Sequence, residues 1–393
     1  MSPVQTIPRR LALRLMALAA VTLLAACNAV PTATGGGGPR IDPDGPVRVA
    51  LLVPGRTGDP NIAALSGSLQ NAARLAIADI EGARIDLRVY ETGGSQAGGA
   101  DAATRAAEEG AKIIVGPLFA EAANGAGLAV AGRGLNVLSF SNSTAIAGGN
   151  VFVLGNTFEN TARRLASHAA RQGKGDIFAL SARTPAERTG AEAIARATAA
   201  TGARLAGSAS FELSQQGIVS AMPDIVQRIR TSGAQSIFFT SGNEGAMVFL
   251  QQFLPEQGIT PEAFQFIGLT RLDIPPEALS QPGLQGAWFA LPDPGLNQAF
   301  RARYAAAYDR QPHPLAGLAY DGLAAVGALV SRGRTDALGR GALTTASGFV
   351  GVNGIFRLRP DGTNQRALAI AEIRNNQVRV IDPAPRSFGG AGF

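Results

Sequence analysis

The side chains with chemistry to offer gather at a few places. Ser139, Ser141, Asn142, Ser143 and Thr144 fall in one short stretch, Ser139-Phe140-Ser141-Asn142-Ser143-Thr144. Their hydroxyl and amide groups could donate to a carboxylate. The same residue types also serve as turns and caps where a strand gives way to a helix. Arg188 and Arg271 stand in polar stretches after apolar runs and would suit an acidic partner if they faced one. As solvated surface arginines they would do nothing further. Thr57 lies in the turn cluster Gly55-Arg56-Thr57-Gly58-Asp59-Pro60, and Tyr320-Asp321 opens an apolar helical pattern. The two histidines, His168 and His313, lie far apart and sit in no metal-ligand motif; His168 is expected on the surface of an Ala- and Arg-rich helix. The glycine pairs Gly93-Gly94 and Gly98-Gly99 match neither a phosphate loop nor a dinucleotide fingerprint. No Ser/His/Asp order and no paired carboxylates stand out, which argues against an enzyme; no cofactor and no metal is expected.

Composition narrows the class. The chain has 393 residues, 46% hydrophobic and 16% charged, enough apolar material for real cores and length for two or three domains. Its one cysteine, Cys27, excludes an internal disulfide framework and multi-cysteine metal sites. Arg9, Arg10 and Arg14 supply three of the net +6 charges, and no acid precedes Cys27. The remaining positive charge is dispersed, so nucleic-acid binding is poorly supported.

The elements that must position these residues alternate. Val47–Pro54, Ile85–Tyr90, Lys112–Pro117 and Asn136–Ser139 read as strands, with helices over Leu65–Ile80, Ala100–Glu109 and Ala120–Ala131 between them. The pattern then restarts. Strands are expected at Asp176–Leu180, Leu205–Phe211, Ser236–Thr240, Phe264–Leu269 and Gly286–Ala290. Helices are expected at Thr161–Gln172, Gly190–Thr201, Ala221–Ser232 and Gly245–Phe253. Near-continuous apolar strands alternating with helices predict α/β architecture, two doubly wound parallel-sheet lobes. Helices over Asn297–Arg310 and Leu318–Ser331 follow. A hairpin should close the fold around Arg374-Asn375-Asn376-Gln377, because Asn tolerates positive φ.

The N-terminal residues 1–26 have a basic start, an apolar stretch too short for a comfortable membrane span, and small residues at the end, as a secretory signal does. Leu24-Ala25-Ala26-Cys27 resembles the bacterial lipobox, which implies cleavage before Cys27 and lipidation of its thiol. Asn28, by enterobacterial sorting rules, implies a periplasmic chain anchored to the outer membrane. Residues 27–45, with Gly35-Gly36-Gly37-Gly38-Pro39, read as a flexible tether.

From Val49-Ala50-Leu51-Leu52-Val53-Pro54 through Ile113-Ile114-Val115-Gly116-Pro117-Leu118, Gly242-Asn243-Glu244-Gly245, Ala319-Tyr320-Asp321 and Gly351-Val352-Asn353-Gly354-Ile355-Phe356-Arg357, the chain resembles the type I periplasmic-binding-protein family. The resemblance covers about residues 46–382. It implies three crossings between lobes, near 153–156, 292–295 and 344–351, and a hinged cleft with ligand between the lobes. The implied lobes are 46–154 plus 295–345, and 155–294 plus 346–383, with 384–393 a flexible tail. Thr57, Ser139, Ser141, Asn142, Ser143, Arg188, Arg271 and Tyr320 are the cleft candidates. Two branches compete: receptors for branched-chain amino acids, and lipoprotein activators of penicillin-binding proteins. Ala120 stands where the binders carry a hydroxyl residue, Arg188 where they carry Tyr, and the acid expected after Gly268 is displaced, to Asp273, or lost. With the implied lipid anchor, those departures favour a regulator of peptidoglycan synthesis docking on a penicillin-binding protein. The alternative is a solute receptor for an ABC permease, for a branched-chain amino acid or a related small anion.

Overall fold

The computed structural model describes residues 38–55 and 57–389; Cys27 and the expected signal segment lie outside them. The first sheet is β1 (Val47–Val53), β2 (Ile85–Glu91), β3 (Ile113–Val115), β4 (Val137–Ser139) and β5 (Val151–Val153), all parallel in the order β2-β1-β3-β4-β5. Helices α1 (Pro60–Ala78), α2 (Gln96–Glu108) and α3 (Ala120–Val130) link the first four strands. The apolar run of β1 is buried along nearly its whole length because helices cover both faces of the sheet. Asp59 caps α1 by accepting from Asn61 N, with Pro60 at the first helical position. Helices α2 and α3 touch through glycine: a Cβ on Gly99 would lie 2.1 Å from Ala122 O, and one on Gly125 2.0 Å from Gln96 O.

The second lobe repeats the plan. Strands β6 (Asp176–Ala182), β7 (Arg204–Phe211), β8 (Ser236–Phe239), β9 (Gln265–Gly268) and β10 (Trp288–Leu291) alternate with α4 (Phe158–Arg171), α5 (Pro185–Ala200), α6 (Gln215–Ser232) and α7 (Met247–Glu256). The chain then returns to the first lobe as α8 (Pro294–Tyr308) and α9 (Ala316–Val330), whose Phe300, Tyr304, Leu323 and Val326 join the core containing β1 and β3. A small antiparallel sheet follows: β11 (Phe349–Gly351), β12 (Gly354–Leu358) and β13 (Asn364–Arg366). Its Phe349, Phe356 and Leu358 also pack in the first-lobe core. Finally β14 (Ala369–Arg374) and β15 (Gln377–Asp382) add an antiparallel hairpin to the second sheet, in the order β15-β14-β10-β9-β8-β6-β7. Asn375 and Asn376 turn it at φ 53° and 61°.

The structure departs from the sequence expectations at several points. The third crossing falls near 366–369 and not at 344–351, because Phe349, Phe356 and Leu358 pack in the first-lobe core, whereas Ala367 and Ala369 pack in the second, so 349–358 belongs to the first lobe. The fold begins before Val47: Ile41 is buried and its N–H donates to Thr335 O at 2.9 Å. Residues 384–389 do not trail free, since Ala384 is buried and Arg357 lies over the Phe388 ring at 4.6 Å. His168 is not on the surface: only 4% exposed, it meets the Trp288 ring edge-on at 4.8 Å, and its Nδ1 lies 3.1 Å from Asp382 Oδ2. Arg164, one turn earlier, is equally buried, donating to Leu368 O at 2.8 Å and to Asp382 at 3.0 Å. The buried face of α4 carries Arg164 and His168 among apolar residues, and the hairpin at the far end of the sequence brings partners for them.

Candidate functional site

The carboxyl ends of strands in both sheets lead to the polar residues singled out above. In the first lobe, Ser139 ends β4 fully buried. Its Oγ donates to Pro117 O at 2.9 Å and accepts from Ser141 N at 3.1 Å. Ser141 Oγ accepts in turn from Ser143 N at 3.1 Å. The serines therefore shape their own loop through successive i to i+2 bonds. Asn142 is exposed, Ser143 is half-buried, and Thr57, beyond β1, is exposed.

In the second lobe the organiser is Glu187, to which sequence reasoning assigned no role. Thr184 caps α5, accepting from Glu187 N at 3.3 Å. One oxygen of Glu187 accepts from Ala182 N at 2.6 Å, Thr240 Oγ1 at 2.8 Å and Ser241 Oγ at 2.7 Å. It thereby ties the ends of β6 and β8 to the first turn of α5. The Thr-x-x-Glu spacing of a capping box at 184–187 was the available signal. Arg188, the next residue, is exposed; its guanidinium lies 3.4 Å from Arg183 O, and no described carboxylate pairs with it. Arg271 forks onto Asp273, so the displaced acid is neutralised by its neighbour. Tyr320 stands apart from the strand-end loops. It packs edge-on to Phe300, and its hydroxyl donates to Asp79, with Arg303 alongside. Burial and the Asp79 carboxylate raise its pKa.

Two cavities open where the lobes meet. One, of about 560 Å³, brings Thr144 and Ala145 of the first lobe against Thr189, Glu192 and Arg196 of α5 and Glu159 and Arg163 of α4. Arg196 pairs with Glu159 and Glu192, leaving Arg163 without a carboxylate partner among the described residues. The other, of about 380 Å³, sets Arg271, Leu291 and Pro292 against Asn297, Arg301 and Gln311. Both volumes are in the range of small-molecule sites.

A buried hub holds the crossings together. Asp321, on α9, is wholly buried; it accepts from Val352 N at 2.8 Å, Asn353 Nδ2 at 3.3 Å and Arg366 Nη1 at 2.9 Å. Arg366 also donates to Leu154 O at 2.6 Å, in the first crossing. Asn353 O accepts from Asp293 N at 3.2 Å, and its side chain accepts from Asn297 at 3.1 Å, both at the second crossing. Asn364 donates to Val153 O and Gly155 O at 2.7 and 2.8 Å. Among the described residues no three His, Cys, Asp or Glu side chains group as a metal site, and no helix is long and apolar enough to cross a membrane.

Residues 46–377 match a family described as periplasmic binding protein. No curated protein matches the chain in sequence. Solved structures share the fold at low identity. A putative branched-chain amino acid ABC transporter protein from Rhodospirillum rubrum is 20% identical with a TM-score of 0.71, over 86% of this chain and 100% of that one. A branched-chain amino acid ABC transporter periplasmic ligand-binding protein from Burkholderia xenovorans is 18% identical with a TM-score of 0.68, over 88% and 97%. An ABC transporter substrate-binding protein from Desulfitobacterium hafniense, in complex with Leu, is 17% identical with a TM-score of 0.64, over 86% and 100%. With two parallel-sheet lobes and three crossings, the chain belongs to the periplasmic binding protein family, has its type I fold, and is a binding protein rather than an enzyme.

Proposed function

We propose that this chain is the solute-binding receptor of an ABC importer, lipid-anchored through Cys27 on the periplasmic side. It would close its lobes on a small solute and present the closed form to the permease. The observation that carries this reading is the seam itself: polar loops at the carboxyl ends of both sheets meet across three bonded crossings, with ligand-sized cavities lined from both lobes. Ligands sit at such strand ends in open α/β sheets. The similar Rhodospirillum, Burkholderia and Desulfitobacterium proteins are described as ABC transporter components, the last in complex with Leu, which favours an importer over the regulator reading. Arg271, which lines one of these cavities, is proposed to contact the solute; Thr57, Asn142, Ser143 and Arg188 line neither cavity and are proposed to meet it from the strand-end loops as the lobes close. Ser139 and Ser141 are proposed to position their loop.

The test is thermal unfolding of residues 28–393 against amino acids and small carboxylates. A solute at a hundred times its Kd should add about 2.7 kcal/mol of stability. Small-angle scattering should show compaction with the same solute. If no solute shifts unfolding and the protein instead captures a peptidoglycan synthase, docking on a penicillin-binding protein replaces this reading.

A further inference from the structure

The 380 Å³ cavity has a one-sided chemistry. Its polar lining is Arg271, Asn297, Gln298, Arg301 and Gln311, and no carboxylate lines it. The two guanidinium groups come from opposite lobes: Arg271 follows β9, and Arg301 lies on α8. Arg271 is already bound to Asp273, so that pair is close to neutral. Arg301 is not neutralised. Its Nε and Nη2 lie 3.3 and 3.1 Å from Gln311 Oε1, and no described carboxylate pairs with it. The nearby acid Asp293 caps α8, accepting from Leu296 N at 3.0 Å. Leu291 and Pro292 supply an apolar wall.

Resting on the receptor reading above, we infer that this cavity binds a small organic carboxylate lacking an ammonium group, clamped between Arg301 of one lobe and Arg271 of the other. The carboxylate meets guanidinium donors, and the three carboxamides serve its remaining polar atoms. An α-ammonium group would face the unneutralised Arg301 and an Arg271–Asp273 pair whose acid is already taken, with no carboxylate in the lining to meet it, so zwitterionic amino acids are disfavoured. Because the arginines belong to different lobes, the same anion that fills the cavity draws the lobes together, which couples recognition to closure.

The experiment compares matched pairs by titration calorimetry on residues 28–393: 4-methylpentanoate with leucine, 3-phenylpropanoate with phenylalanine, and succinate with aspartate. This segment contains every described residue, and its structured part begins by Ile41. At least one carboxylate should bind tenfold or more tightly than its amino acid, and added salt should weaken it. Arg301→Gln, at an exposed position, should cost that ligand at least tenfold in affinity with ligand-free unfolding unchanged, and Arg301→Lys should recover part of it. An amino acid bound as tightly as its deaminated partner would overturn the ligand class and leave the receptor reading standing. Carboxylate binding indifferent to Arg301→Gln would overturn the site. Binding of none of the six by a folded protein would overturn this inference, and a wider panel that also shows no binding would then remove the receptor reading.

Discussion

At the scale of single residues, the most consequential groups are buried charges that meet across long sequence separations. Asp321 and Arg366 have side chains 0% and 4% exposed. Removing one member of such a pair strands the other in a low-dielectric interior. Asp321→Ala should therefore destabilise the protein by about 3–5 kcal/mol in urea unfolding; a loss below about 1 kcal/mol would deny the hub its role. The cluster on α4 makes a pH prediction. Burial lowers the pKa of His168, against the pull of Asp382, and Arg171 and Arg164 push the same way. The folded state thus resists a proton that the unfolded chain takes up near pH 6.5. Its contribution to stability is complete above that pH and is lost as pH falls through the lower folded value. Asp382 is held below the usual carboxylate range: burial would raise it, but the bonds from Arg164 and His168 outweigh that. Its contribution is lost only in stronger acid, as the pH falls below about 4. Stability measured against pH should show both declines, and His168→Gln should flatten the first while only reducing the second, which Arg164 still maintains. An unchanged profile would place the titration elsewhere.

At the scale of elements, close approach of backbones fixes how α2 and α3 lie. Gly125→Ala must push α3 off Gln96 O and should cost about 1–3 kcal/mol through overpacking. Gly132→Ala meets nothing within 4 Å and is the control, expected within about 0.5 kcal/mol of wild type. Equal effects in chemical denaturation would count against the close contact. Most of this architecture was legible in the sequence. Continuous apolar strands, helical spacing and the Asn375-Asn376 turn report local physics, and the structure has them close to where they were expected. β5 was missed because three apolar residues, Val151–Val153, look the same in a strand or a crossing. The small sheet β11 to β13 was missed for a similar reason: short strands leave little periodicity. His168 was misplaced because its partners Asp382 and Trp288 lie more than a hundred residues away. The site was legible mainly as places. Sequence offered the serine loop both as ligand donors and as turn formers; the structure shows Ser139 and Ser141 engaging backbone groups of their own loop and of Pro117.

At the scale of the molecule, the two lobes are interleaved rather than strung in series. β10 is paired on one side with β9 and on the other with β14, which the chain delivers only after the whole of α8, α9 and the small sheet. Ending the chain at Arg366 would leave Trp288 and Phe289 without the strand that covers their edge. Such a truncation should lose cooperative unfolding of the second lobe in calorimetry and associate in gel filtration. A monomer with a sharp transition would show that β14 and β15 are dispensable. The first lobe also waits, for α9, whose Leu323 and Val326 close its core. During synthesis from the amino end, neither half can finish until the final third of the chain has appeared. Domains that complete early tend to fold as they emerge. This order of assembly instead keeps the nascent chain loose until late, the condition in which a polypeptide can be threaded through a membrane channel before it folds on the far side.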